Sequence, residues 1–230
     1  MGEIVLEGDP PVTVRLRENR RARRLSLRVS HLDGRVTLSM PPGLHRAEAL
    51  AFLREKEGWV RGHLACRHEP VVPGPGARVH FEGVPVPVVA GAGRSVRLEE
   101  GRLVVPGRAE AAPRRLGAFM RVVARERLAA ACDRHAGRIG RSYGRITLRD
   151  TRSRWGSCTA QGRLMFSWRL VMAPPEVLEY VAAHEVAHLV ELNHSPAYWA
   201  VVEGLMPDYR EHRQWLRQNG AVLHRYRFGD

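Results

Sequence analysis

Lysine is almost missing from this chain: Lys56 is the only one in 230 residues. Cysteine is scarce as well. The three present, Cys66, Cys132 and Cys158, are widely separated and form no CxxC pair. An odd, scattered set points to neither a disulfide framework nor a thiolate zinc site, and is expected to be reduced thiols. No segment has the unbroken apolar length that a membrane span requires, and the opening stretch MGEIVLEGDPPVTVRLRENRRARR has no apolar run suited to a signal peptide. The expectation is a cytoplasmic globular protein that does not enter a membrane. No internal repeat, low-complexity tract or Gly-rich phosphate loop is present.

Arginine is what the chain has in excess. Lys+Arg 37 against Asp+Glu 24 gives a net charge of +13, a balance that ordinarily points to a polyanionic partner such as nucleic acid. Arginine in place of lysine can also reflect a genome's codon composition, so charge alone leaves that partner open. The densest cluster, Arg20, Arg21, Arg23 and Arg24, stands at the start of an expected strand and reads as a solvated strand end.

The first half is β-rich. Val12–Arg17 and Leu25–Val29 alternate apolar with polar residues, as half-buried antiparallel strands do, and Val36–Met40 repeats the pattern after the turn dipeptide Asp33-Gly34. Between Arg46 and Cys66 the apolar residues take helical spacings, one helix or two with Gly58 weakening the middle. Short strands are expected around 79–81, 84–89, 96–98 and 103–105. Composition changes near residue 108, which divides the chain into 1–108 and 109–230. Pro113 opens a helix running to Gly137, and Ile146–Arg149 and Leu164–Leu170 are expected strands that flank a turn.

The strongest signal follows. Pro174-Pro175-Glu176 supplies helix-start chemistry, and VLEYVAAHEVAHLVEL continues without a breaker. Inside it, His184 and His188 are four residues apart, a spacing that sets their Cβ atoms about 5–6 Å apart on one face and lets both imidazoles reach one zinc. Glu185 lies at the flank, placed to take a proton from the water that such a metal activates. A catalytic zinc needs a third protein ligand, and His194 arrives just past Asn193, before a Ser195-Pro196 helix start. Glu203 is a candidate acceptor for a ligand N–H or a solvated helix residue. Tyr198, Trp199, Val202 and Leu205 have the spacing of core.

The segments RWGSC (Arg154–Cys158), LMFSWRL (Leu164–Leu170) and HEVAHLVELNHSPAYWAVVEGLMPDY (His184–Tyr209), with EKEGWVRGHL (Glu55–Leu64), make the chain resemble the YgjP-like metallopeptidase family over nearly its whole length. Over the helical part alone it is also similar to the SprT and Spartan proteases of DNA–protein crosslinks. The YgjP-like resemblance implies an α+β fold in which the β-rich part precedes a zincin-like catalytic part, an antiparallel sheet followed by the HExxH helix. It also implies Zn2+ on His184, His188 and His194, Glu185 as general base, and peptide or protein substrates. Arg154, close to the cleft by the same resemblance, is either an oxyanion donor or an outward salt-bridging arginine. Two rivals stay open: a metal-dependent hydrolase of nucleoside triphosphates, since an activated water also attacks phosphorus, and a DNA-associated protease of crosslinked proteins.

Overall fold

The computed structural model describes residues 2–30, 34–65 and 69–229, so Asp33 of the expected turn and Cys66 lie outside the described residues. The chain divides into two compact units, Met1–Glu69 and Pro70–Asp230. Residue 108, where the composition changes, falls inside the second.

The first unit is a four-stranded sheet under two helices. Its strands are β1 (Glu3–Leu6), β2 (Val12–Glu18), β3 (Ser26–Val29) and β4 (Val36–Met40), in the order β1-β2-β4-β3. The alternating residues Ile4, Leu6, Val12, Val14, Leu16, Val29, Val36 and Leu38 all point to one face. There they meet Ala49 and Leu53 of α1 (Arg46–Glu55) and Val60 of α2 (Glu57–Ala65). The opposite face is mostly polar, as in a sheet packed on one side and solvated on the other. Two details depart from the sequence expectation. β1 carries only two inward apolar residues and too short a period to register, and β2, expected to be antiparallel, is so only to β1: β4 lies between it and β3, parallel to β2 and antiparallel to β3. The 46–66 segment is two helices that meet at Lys56.

The second unit begins with a four-stranded sheet, β5 (Arg78–Phe81), β6 (Val84–Gly91), β7 (Arg97–Glu99) and β8 (Arg102–Pro106), in the order β5-β6-β8-β7. The long helix α3 (Ala112–Arg138) follows with Pro113 in its first turn, where a missing N–H costs nothing. Its apolar side, Leu116, Met120, Ala124, Leu128, Ala131 and Cys132, is fully buried in the unit's single core. A three-stranded sheet, order β10-β11-β9, comes next: β9 (Ile146–Arg149), β10 (Gly156–Cys158) and β11 (Leu164–Ser167). The antiparallel sheet expected here is mixed. β10 and β11 form a hairpin, whereas β9 runs parallel to β11, because the excursion through β10 brings the chain back in its original direction. β10 is left as an edge strand.

The remaining helices are α4 (Pro175–Ala187), α5 (Pro196–Leu205) and α6 (Tyr209–Leu223). The backbone between α6 and the chain end is tied down by Arg169. Its buried guanidinium makes two bonds to the Asp150 carboxylate, at 2.6 and 2.9 Å, and donates to the carbonyls of Leu223 and Tyr226. It also stacks between Trp168 and Phe228. Burial raises the Asp150 carboxyl, but the bonds and charge of Arg169 outweigh it and hold the group below its ordinary range. Among the described residues, no helix is long and apolar enough to cross a membrane.

Candidate metal centre and catalytic carboxylate

Helix α4 is apolar on nearly every side, with Val177, Leu178, Val181, Ala182, Ala183, Val186 and Ala187 all buried. A helix of that character sits inside the fold, so the polar residues of its last turn are held in fixed positions rather than freely solvated. His184 and Glu185 are in its last turn. The helix was expected to continue through Leu192 and instead ends at Ala187, with His188 as its cap. After that the backbone tightens: the Leu189 and Val190 amides bond three residues back, to Val186 and Ala187. This tighter turn brings the Glu191 carbonyl within 2.9 Å of His188 Nδ1, which donates to it. The bond fixes the tautomer and leaves Nε2 of His188 with a free lone pair.

His194 returns from the following turn. Asn193 Oδ1 accepts from the Ser195 amide, Ser195 Oγ accepts from the Tyr198 amide as the N-cap of α5, and Pro196 occupies the first turn. Tyr198, fully buried, joins the two helices: its hydroxyl donates to the His184 carbonyl at 2.8 Å and its ring stacks on His188 with centroids 4.5 Å apart. Trp199 stacks on His194 at 5.7 Å.

These supports bring together one nitrogen from each of His184, His188 and His194, all within 4.8 Å of one another. The Nε2 atoms of His184 and His194 are 3.2 Å apart. Two imidazoles bound to one tetrahedral zinc at about 2.0–2.1 Å have ligand nitrogens about 3.3–3.4 Å apart, so the donor set fits a single small ion. Burial, the neighbouring His188 and His194 and the cation of Arg213 push His184 down to about 3, and it is held neutral as a metal ligand must be.

Glu185 is 5% exposed. Burial raises its carboxyl to about 8, and Arg154 draws it back only partly. Its neighbour on the edge strand is Gly156. A Cβ built there would lie 2.6 Å from Glu185 Cγ and 2.8 Å from Cδ, so the absence of a side chain at 156 is what makes room for the carboxylate. Trp155, next to it, is seated against α6, where a Cβ on Gly220 would come within 2.8 Å of the indole. RWGSC thus has a physical reading: Trp155 pins the edge strand to α6, and Gly156 opens the space that Glu185 fills.

The other sequence candidates divide. Arg154 is exposed and acts on Glu185 through its charge. Glu203 belongs to the surface, paired with Arg210 at 3.1 Å. Cys158 lies near Glu185, but burial and that carboxylate push its thiol up to about 11, which leaves it without nucleophilic character. Arg213 of α6 was not legible in sequence. It stacks on Trp199 at 4.7 Å, and its charge reaches His184 and His194. A cleft of about 480 Å³ opens beside His188, between the β10–β11 turn at Thr159–Gly162 and the exposed Val190 and Leu192.

A helix that presents two imidazoles and a buried carboxylate, completed by a third imidazole, with a cleft beside His188, has the make-up of a metal-dependent hydrolase. The chain belongs to the YgjP-like family, whose metallopeptidase domain matches residues 23–219. Among solved structures, the metallopeptidase zymogen of Pyrococcus abyssi abylysin is similar at 17% sequence identity and a TM-score of 0.36, with 40% of this chain and 93% of that chain covered. No curated protein matches.

Proposed function

We propose that the protein is a zinc-dependent peptidase of the cytoplasm, acting on peptide or protein substrates, with His184, His188 and His194 as the metal ligands and Glu185 as general base. The observation that carries this reading is the convergence of three imidazole nitrogens within 4.8 Å beside a buried glutamate. Zinc bound there supplies Lewis acidity, lowering the pKa of a water and polarising the scissile carbonyl.

The protein's own groups do the rest. Glu185, held at the flank of the ligands by the space at Gly156, accepts the proton of the attacking water and delivers it to the leaving amine. Burial raises this carboxyl, and the charge of a metal on the neighbouring histidines would draw it back to the ionised form that accepts a proton. Arg154, exposed in the loop just before the edge strand, is the donor to the oxyanion as charge develops on the carbonyl oxygen. The 480 Å³ cleft beside His188 receives the residues flanking the scissile bond.

The test is a peptide library of mixed sequence incubated with zinc-loaded protein, products read by mass spectrometry, with a nucleoside triphosphate panel alongside. Peptide cleavage that is abolished by chelation supports the reading. Hydrolysis of nucleotides with no peptide cleaved would overturn it.

A further inference from the structure

The catalytic reading leaves the excess of arginine unused. In the first unit that charge is concentrated on one side. Paired residues across the sheet share a face, so the register places Glu3, Arg15, Thr37 and Arg28 in one row across β1, β2, β4 and β3, and Arg17, Ser39 and Ser26 in the next. Strand geometry sets Arg15 and Arg17 about 7 Å apart along β2, and Arg15 and Arg28 about 10 Å apart across the sheet. At the end of this face, Asn19 caps a turn with its side chain on the Arg21 amide and its carbonyl on the Ala22 amide, which presents Arg20 and Arg21 at the corner; Arg23 and Arg24 follow. All these arginines are exposed. Arg15 has a loose contact with Glu3 at 3.9 Å, and Arg17, Arg20, Arg21, Arg23, Arg24 and Arg28 have no ion-pair partner among the described residues.

We propose that this open sheet face binds nucleic acid by its phosphate backbone. Seven arginines between residues 15 and 28 against the single acid Glu18 make a concentrated positive field. Guanidinium forks suit phosphate oxygens, and the hydroxyls of Ser26, Thr37 and Ser39 in the same rows are further donors to those oxygens. The described part of the face has no aromatic side chain on which bases would stack, so the partner is a backbone read without sequence preference. An anionic membrane is the poorer match. Among the described residues, Val5 is the one exposed large apolar residue on the sheet, where insertion into lipid calls for several.

The experiment is fluorescence anisotropy of the full chain with a labelled mixed-sequence DNA duplex over a salt series. It involves no hydrolysis, so it stands or falls apart from the peptidase reading. Each phosphate neutralised contributes about −0.9 to the slope of log K against log salt, so engagement of most of the cluster gives a slope of about −4 to −6. The triple variant Arg15→Gln, Arg17→Gln, Arg28→Gln, whose sites are exposed and whose melting temperature should match wild type, is expected to make the slope shallower by about 2 to 3 and weaken binding at least about tenfold. The matching Arg→Lys triple variant should keep most of the slope. An unchanged slope in the Arg→Gln protein, no duplex binding at low salt, or arginine-dependent binding to phosphatidylserine vesicles with none to DNA would each overturn the proposal.

Discussion

Gly156→Ala isolates the link between the edge strand and the base. The glycine's φ is an ordinary one, so space, not conformational freedom, is what the position requires. The added methyl carbon would stand 2.6 Å from Glu185 Cγ, where ordinary contact begins at 3.4 Å, so the carboxylate stem must retreat by about 0.8 Å. It retreats into a packed interior, since Glu185 is 5% exposed. Overpacking of this kind costs about 1–3 kcal/mol of stability, and a misplacement approaching 1 Å at a reacting group costs about 10²-fold in rate. His184 is next to Glu185 on α4, but its ring is packed against Tyr180, Tyr198 and Trp199, so the three histidines keep their arrangement. Gly156→Ala should therefore retain metal near the wild-type content while kcat/KM falls about a hundredfold, read by elemental analysis and peptide cleavage on the same preparation. A folded variant with activity within a few-fold of wild type would refute the reasoning, because the base would then be indifferent to its wall.

Other perturbations follow from the same geometry. Glu185→Gln should keep the metal and the fold and lose hydrolysis by several orders of magnitude, since an amide cannot accept the water's proton; elemental analysis and the peptide assay separate the two effects. His194→Ala should weaken zinc binding far more than Glu203→Ala, whose carboxylate is paired with Arg210 at the surface; competition with a chromogenic chelator measures both. His224, 8% exposed, is lowered from 6.5 to about 4, chiefly by burial and then by Arg169. Its unfolded form takes up a proton that the folded form refuses, so its contribution is complete above pH 6.5 and is lost as pH falls towards 4, by about 3 kcal/mol at most. Denaturant unfolding of His224→Gln across that window should show a flatter profile than wild type. Asp150 and Glu179, both held low by arginine and histidine partners, add a further loss only below their ordinary carboxylate range.

The parts of the fold and site that follow local periodicity were legible in the sequence. The alternation of Val36–Met40 marks its strand to the residue, and Pro113 and Pro175 each open a helix as proline at the first turn should. The three histidines could be grouped because helical spacing is short-range geometry and Ser195-Pro196 signals where the next helix begins. Relations set by tertiary contact were not. Nothing local says that β4 separates β2 from β3 or that β9 runs parallel to β11, because the same alternating pattern serves either pairing. The helix ends at Ala187, where the backbone tightens and the Glu191 carbonyl meets His188, and the run HLVEL carries no breaker that would mark it. Gly156 could have been noticed as a glycine interrupting a strand, but only its contact with Glu185 explains it. Arg213 is one arginine among many until the fold lays it over Trp199.

Peptide hydrolysis by a metal on three histidines together with a buried glutamate is tested most directly by cleavage of the mixed peptide library by wild-type and Glu185→Gln proteins, each stripped by chelator and then reloaded with zinc. Cleavage by wild type that disappears on stripping, returns with zinc, and never appears in Glu185→Gln is the result predicted. Cleavage that survives metal removal, or that zinc-loaded Glu185→Gln carries out at the wild-type rate, would contradict it.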